Sequence, residues 1–329
     1  MAQMLGKKVG PIGLGLMGFS WRPDPIPVEK AIKTLKAAFE NGATVWNGAE
    51  FYGTPEYNSM TILNRYFTQY PEHADKVTLI IKGAVDPITI QPDGSPEGIR
   101  RSVDNILKQL GGKKKLDSFG IGRRDHSSSF ETTLRILKEE YVDTGKIGGV
   151  SLSECSAATI EEAAKIIDVA AVEVELSMFS PDILHNGVAA ACGKHNIPIT
   201  AYSPMSRGML TGRFKTNADA QYLGRLATFP RFRDESLAHN LKLVAKVEAL
   251  AEKKGCTSAQ MAIAWVRHVG TRAGMPDIIP IPGSTSVSRV QENSKVIELE
   301  DQESKELDDV LENFTIAGGR YPDGVPTEL

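Results

Sequence analysis

Val77-Thr78-Leu79-Ile80-Ile81, then an amphipathic stretch from Pro96 to Leu110, then Leu116-Asp117-Ser118-Phe119-Gly120-Ile121, form the segment on which the fold turns. A short apolar run, a helical run and a second short apolar run make one strand–helix–strand unit. Two parallel strands need a crossover between them, and a helix supplies it. The same alternation extends in both directions. Further strand candidates are Ile12–Gly15, Thr44–Trp46, Ile147–Ser151, Ala171–Glu175, Ile197–Ala201 and Ile278–Pro280. Helical patterns cover Val28–Glu40, Phe130–Thr144, Thr159–Ile167 and Ser258–Val269. Within the first of these, Val28, Ala31, Ile32, Leu35, Ala38 and Phe39 recur at three-four spacing, which marks one buried helix face.

Eight strands, each followed by a helix, is the count of a closed (β/α)8 TIM barrel. We expect one such domain over residues 1–329. A doubly wound sheet, the competing arrangement, would usually use fewer strands. The hydrophobic share of 41% and charged share of 24% suit a soluble globular chain, and a net charge of −3 argues against a nucleic-acid partner. Lys113-Lys114-Lys115, a tight basic run, reads as a solvated turn. Cys155, Cys192 and Cys256 lie far apart and share no metal spacing, so reduced thiols and no metal are expected. No apolar run reaches the ~18 residues of a membrane span, and no signal peptide is evident. A cytoplasmic protein is expected, with the nucleus left open. The choice between monomer and homo-oligomer is also left open. The connection from Ser206 to Ser236, with Arg213, Phe214, Tyr222, Phe229, Pro230 and Phe232, is long enough to be functional. The tail after Phe314 is expected at the surface.

Gly13-Leu14-Gly15-Leu16-Met17-Gly18 fits a dinucleotide-binding glycine pattern, which requires a helix to begin within it. Pro23, Pro25 and Pro27 block a helix just beyond, so we read the glycines as a close approach of the first strand and its loop to a ligand.

In a barrel, chemistry gathers at the C-terminal strand ends. Three of those ends carry suitable groups: Asn47 through Tyr52 after the second strand, Lys82 at the third, and Gly122-Arg123 after the fourth. Reducing a carbonyl places negative charge on oxygen and needs a proton. A tyrosine can give that proton if a lysine ammonium stabilises its anion. Tyr52 and Lys82 stand at successive strand ends.

Glu50-Phe51-Tyr52-Gly53 followed by Lys82 resembles the aldo-keto reductase superfamily, in which tyrosine and lysine act with an aspartate and a histidine. Tyr202-Ser203-Pro204-Met205-Ser206-Arg207-Gly208-Met209-Leu210-Thr211-Gly212 resembles the family loop after the seventh strand. Ile281-Pro282-Gly283-Ser284-Thr285 with Arg289, Glu292 and Asn293 resembles its signature after the eighth. Gly283, Ser284 and Thr285 open a helix whose free N–H groups suit a phosphate, and Arg289 can hold the 2′-phosphate of NADPH. By resemblance, Glu292 and Asn293 contact the adenine, and Tyr202, Ser203, Pro204, Met205, Arg207 and Gly208 line the cofactor. Ser153 and Glu173 are assigned to its carboxamide.

Several positions depart from the family. Asn47 replaces the aspartate, Gly122 the histidine, Glu173 a glutamine and Leu176 a stacking tyrosine. Ser153-Glu154 keeps only the serine of a serine–amide pair. The segment from Trp46 to Gly53, the opening glycine-rich stretch and Gly111–Asp117 together are similar to the fungal pyridoxal reductases, a subfamily sharing the first two departures. The resemblance implies NADPH-dependent reduction of an aldehyde, pyridoxal to pyridoxine, with Tyr52 as acid, Lys82 as its activator and Asn47 orienting Lys82. Water would fill the space at Gly122, with Arg123 as a polar contact. Trp21, Trp46 and Phe51 are candidates for an aromatic substrate wall. Two other outcomes are carried: a reductase of different aldehydes or ketones, and an NADPH-binding barrel with a regulatory role.

Overall fold

A computed structural model describes residues 2–216, 218–219, 228–322 and 327–329. Tyr222 lies outside the described residues. Eight parallel strands run in sequence order: β3 (Leu14–Gly15), β4 (Val45–Ala49), β5 (Thr78–Gly83), β6 (Ser118–Ile121), β7 (Val150–Ser153), β8 (Val169–Glu175), β9 (Ile199–Tyr202) and β10 (Ile278–Pro280). The barrel closes where the Gly13 N–H donates to the Pro280 carbonyl at 2.8 Å and the Gly15 N–H to the Pro282 carbonyl at 3.3 Å. It is the expected (β/α)8 fold, and each of the eight proposed strands overlaps an observed one.

The glycines of the first strand serve this closure. A Cβ at Gly13 would lie 2.5 Å from the Val45 carbonyl oxygen, and one at Gly15 would lie 3.0 Å from that of Ile281. The close approach that Gly13 and Gly15 permit is to neighbouring backbone. One turn of helix, α1 (Met17–Ser20), does begin inside the glycine pattern, and it stops at Trp21.

The first two strands, β1 (Gln3–Met4) and β2 (Lys7–Lys8), form an antiparallel hairpin that the sequence reading did not propose. It plugs the N-terminal end of the barrel. The Gln3 N–H bonds the Asp277 carboxylate at 3.3 Å, and Lys7 pairs with Asp117 at 2.8 Å. Met4 and Val9 pack with Val45, Ile80, Ala171, Ile279 and Ile281 inside the barrel. Asp117 also holds Lys114, which is buried, so only Lys113 and Lys115 of the basic run are solvated.

The outer ring of helices includes α2 (Val28–Glu40), α3 (Ser59–Gln69), α4 (Pro96–Leu110), α5 (Phe130–Ile136), α6 (Ala157–Ala163), α7 (Val188–Lys194), α8 (Asp234–Lys254), α9 (Ser258–Val269), α10 (Val287–Ser294) and α11 (Asp301–Glu312). Helices α2, α4 and α9 match the proposed bounds. The run from Phe130 is α-helical only to Ile136, where a π turn takes over. Helix α6 begins two residues earlier than read, because Ser156 caps it through the Thr159 N–H. Trp46 faces outward onto α3. Its ring sits 5.0 Å from that of Tyr66 and 5.8 Å from that of Phe67, and its indole N–H donates to the Ala43 carbonyl at 2.7 Å. It is a core residue, not a substrate wall. Among the described residues, no helix is long and apolar enough to cross a membrane.

Candidate active site

Strand side chains alternate, so residues two apart share a face. Val45, Ile80 and Ala171 face the barrel interior. Asn47, Lys82 and Glu173, each two residues further on, therefore converge inside it near the C-terminal end. The Lys82 ammonium donates to Asn47 Oδ1 at 2.7 Å and to the two Glu173 carboxylate oxygens at 2.6 and 2.9 Å. Asn47 Nδ2 donates to Glu173 Oε2 at 2.6 Å. All three are buried. Gly120 on the adjacent strand leaves room, since a Cβ there would come within 3.0 Å of the Lys82 side chain. Burial alone would lower the Lys82 pKa. The Glu173 charge, with help from Tyr52 and hydrogen bonding, outweighs it and raises the pKa, so Lys82 is held as ammonium.

Tyr52 sits in the loop after β4, with the Lys82 nitrogen 5.2 Å from the centroid of its phenol ring. The loop is braced on both sides. The buried Glu50 carboxylate accepts from Arg101 at 3.0 Å, Ser102 at 2.6 Å and Asn105 at 2.7 Å. The Ser20 hydroxyl donates to the Tyr52 carbonyl at 2.6 Å. Gly53, at φ 118°, turns the chain where a Cβ would meet the Tyr57 carbonyl oxygen at 2.2 Å. Trp21, 41% exposed, stacks on Tyr52 at 5.0 Å and 22°, and Phe51 meets both rings edge-on. Together they make an open aromatic face beside the phenol.

Gly122 is closely packed. A Cβ there would stand 3.0 Å from the Gly83 carbonyl oxygen, 3.1 Å from Val85 and 3.6 Å from Phe51. Val85 and Phe51 thus flank the position where the resemblance placed a missing histidine. Arg123 donates to the Gly122 carbonyl at 2.6 Å and to the Ser153 hydroxyl at 3.3 Å.

The loop after β9 carries a run of left-handed backbone, with φ 51° at Ser203, 50° at Ser206, 56° at Arg207 and 102° at Gly208. Arg207 is pinned in place. It bonds Glu175 at 2.9 Å and the Arg320 carbonyl at 2.8 Å, and its guanidinium lies over the rings of Phe229 and Tyr321. The hydroxyls of Tyr202 and Tyr321 share a hydrogen bond of 2.6 Å. Arg320 also pairs with Glu154, so the tail, which lies at the surface as expected, is tied across the strand ends. Leu176 is buried and Met205 packs against the core.

Ser286 makes no side-chain cap to α10, and no acidic residue occupies its first turn, so its N–H groups face no competing carboxylate. Gly283 and Arg289 are exposed beside this end, with Ser284 and Thr285 half-buried. Asn293 is buried, and its amide takes no hydrogen bond from the described residues. Glu292 accepts from Thr257 at 2.7 Å. This set fits an anionic nucleotide, with donors at one end and an unpaired amide further along. No group of three His, Cys, Asp or Glu among the described residues could hold a metal.

These groups at the C-terminal end of a barrel suit an oxidoreductase acting on carbonyl and CH–OH groups, and the family match and relatives identify the chain as one. The chain belongs to the aldo/keto reductase family, whose pattern matches residues 11–312. It is 42% identical over 323 residues to "Probable pyridoxal reductase 2" of Schizosaccharomyces pombe, covering 96% of each chain. It is 36% identical over 336 residues to a candidate pyridoxal reductase of Saccharomyces cerevisiae, covering 94% of this chain and 95% of that one. The solved glycerol dehydrogenase AKR11B4 of Gluconobacter oxydans shares the fold at a TM-score of 0.80 and 22% identity, over 97% of this chain and 95% of that one.

Proposed function

We propose that the chain reduces an aromatic aldehyde with NADPH, and that pyridoxal, giving pyridoxine, is its substrate. The placement of the Tyr52 ring 5.2 Å from the nitrogen of a buried Lys82 that is ion-paired to Glu173 carries this reading. The names of the two fungal relatives support the choice of substrate. Bound NADPH supplies the two electrons and one hydrogen that the carbonyl carbon gains. Tyr52 gives its proton to the carbonyl oxygen. Lys82 stabilises the phenolate left behind, which makes the phenol a better acid. A solvent proton then restores Tyr52, so pyridoxal, NADPH and one proton give pyridoxine and NADP⁺. Trp21 and Phe51 offer the faces against which a flat ring lies. Asn47 orients Lys82.

The cofactor is held by the N-terminus of α10 with Ser284, Thr285 and Arg289, by Glu292 and Asn293, and by the loop after β9. Ser153, whose hydroxyl accepts from Arg123, would meet the carboxamide. Because Arg289 would meet only the 2′-phosphate, Arg289→Ala should weaken NADPH binding about tenfold or more and NADH binding little. Fluorescence titration with both nucleotides measures this, and equal losses would remove the assignment.

The substrate is tested by following NADPH absorbance with pyridoxal, benzaldehyde and a short aliphatic aldehyde. Pyridoxal should give the highest kcat/KM. Turnover of the aliphatic aldehyde with none of pyridoxal would end the substrate proposal and leave another aldehyde reductase in its place.

A further inference from the structure

Resting on the reading of Tyr52 and Lys82 above, we propose that Glu173 is a positioning residue of the proton-donor site. From β8 it carries the one negative charge that holds the Lys82 ammonium, while Asn47 supplies geometry alone.

The hydrogen-bond chemistry fixes how the three groups are arranged. An ammonium only donates and a carboxylate only accepts. The Asn47 amide lies between them, so its oxygen must face Lys82 and its nitrogen Glu173, as the distances of 2.7 and 2.6 Å show. Charge can enter this cluster from few places. Glu173 comes from β8 and Tyr52 from the loop after β4. Strand β4 itself offers the neutral Asn47, and β6 offers Gly120. Among the described residues, Glu173 is therefore the one anion paired with the ammonium. It is buried, its Oε1 takes Lys82, and its Oε2 takes both Lys82 and Asn47. The contact with a nicotinamide carboxamide first assigned to Glu173 would have to compete with these bonds, and an ionised carboxylate has no proton to give the carboxamide carbonyl.

The arrangement implies that carboxylate and amide can exchange strands. Asn47→Asp alone would set two carboxylates 2.6 Å apart, forcing them to share a proton and weakening the hold on Lys82. Glu173→Gln alone would leave the ammonium with amides only. Making both changes restores one carboxylate and one amide and keeps three of the four hydrogen bonds, in mirror order; only the 2.9 Å bond from Lys82 to Oε2 is given up.

The test uses full-length protein labelled at lysine Cε with carbon-13, with the Lys82 signal assigned by its loss in Lys82→Arg. In Glu173→Gln, Lys82 should titrate lower by about one pH unit or more. The alkaline limb of the kcat profile with pyridoxal should move the same way, and kcat near neutral pH should fall roughly tenfold or more. Asn47→Asp should also lose activity. The double variant should return to within about threefold of the parent in kcat, with the titration restored. A double variant no better than the poorer single one would overturn the proposal, as would an unmoved Lys82 titration in Glu173→Gln. If Glu173→Gln does not fold, the double variant, which keeps the ion pair and three of the four bonds, still decides. Failure of the underlying reading shows separately. Tyr52→Phe with full turnover would remove the proton donor, while the lysine titration would still report on Glu173.

Discussion

Tyr52→Phe should lower pyridoxal turnover by roughly 10²–10⁴-fold, the usual contribution of a positioned acid. That range corresponds to about 3–5 kcal/mol of transition-state stabilisation. The loss should fall on kcat, because the ring stays and only the hydroxyl goes. The stacking of Trp21 on residue 52 survives the change, so the aromatic face keeps its shape. NADPH affinity should hold, since the residues assigned to the nucleotide lie on other elements: β7, the loop after β9 and α10. Steady-state kinetics together with nucleotide titration check both halves. A variant that turns over like its parent would remove Tyr52 from the chemistry, and one that loses NADPH binding would mean the loop is structural.

Lys82→Met should be damaging in two ways. Turnover should fall at least as far as in Tyr52→Phe, because the phenolate loses its cation. Stability should also drop, by about 3–5 kcal/mol, because Glu173 is left buried and uncompensated. Adding Glu173→Gln should recover most of the stability and none of the turnover. Urea unfolding near neutral pH separates the two effects, and a single variant as stable as the parent would contradict a buried ion pair. The sign with pH follows from the raised Lys82 pKa. Its contribution to stability is whole below the ordinary lysine range and fades only as pH climbs through the higher folded value.

The barrel was legible because each strand is a short apolar run closed off by an amphipathic helix. Strand ends were less so. Runs such as Ile147–Ser151 and Ile197–Ala201 include apolar residues that pack before the backbone pairing begins. The N-terminal hairpin escaped because two-residue strands with exposed lysines show no alternation. Lys114 escaped for a related reason, since composition does not reveal that Asp117 folds back onto it. Tyr52, Lys82 and Asn47 could be named from strand-end position and family resemblance. Glu173 was named, but its partner was not. The missing signal was parity: Ala171 and Glu173 alternate with Val172 and Val174, which puts the carboxylate on the same inner face as Lys82. Parity also separates Trp46, one residue from Asn47, which therefore faces the helices. Gly122 showed that a side chain was missing, but not that Val85 and Phe51 flank its place.

The tail has a consequence for the order in which the molecule can be completed. Glu154 and Glu175 leave the ribosome well before Arg320, which pairs with the first at 2.5 Å and lies 3.8 Å from the second. Arg207 reaches Glu175 sooner, but its bond to the Arg320 carbonyl must also wait. Until then Glu154 is a carboxylate without its cation, in a position that ends buried, so the nascent chain has reason to leave that rim wet and loosely packed. The strands can assemble during synthesis, but the mouth sets only when the segment carrying Arg320 folds back across it.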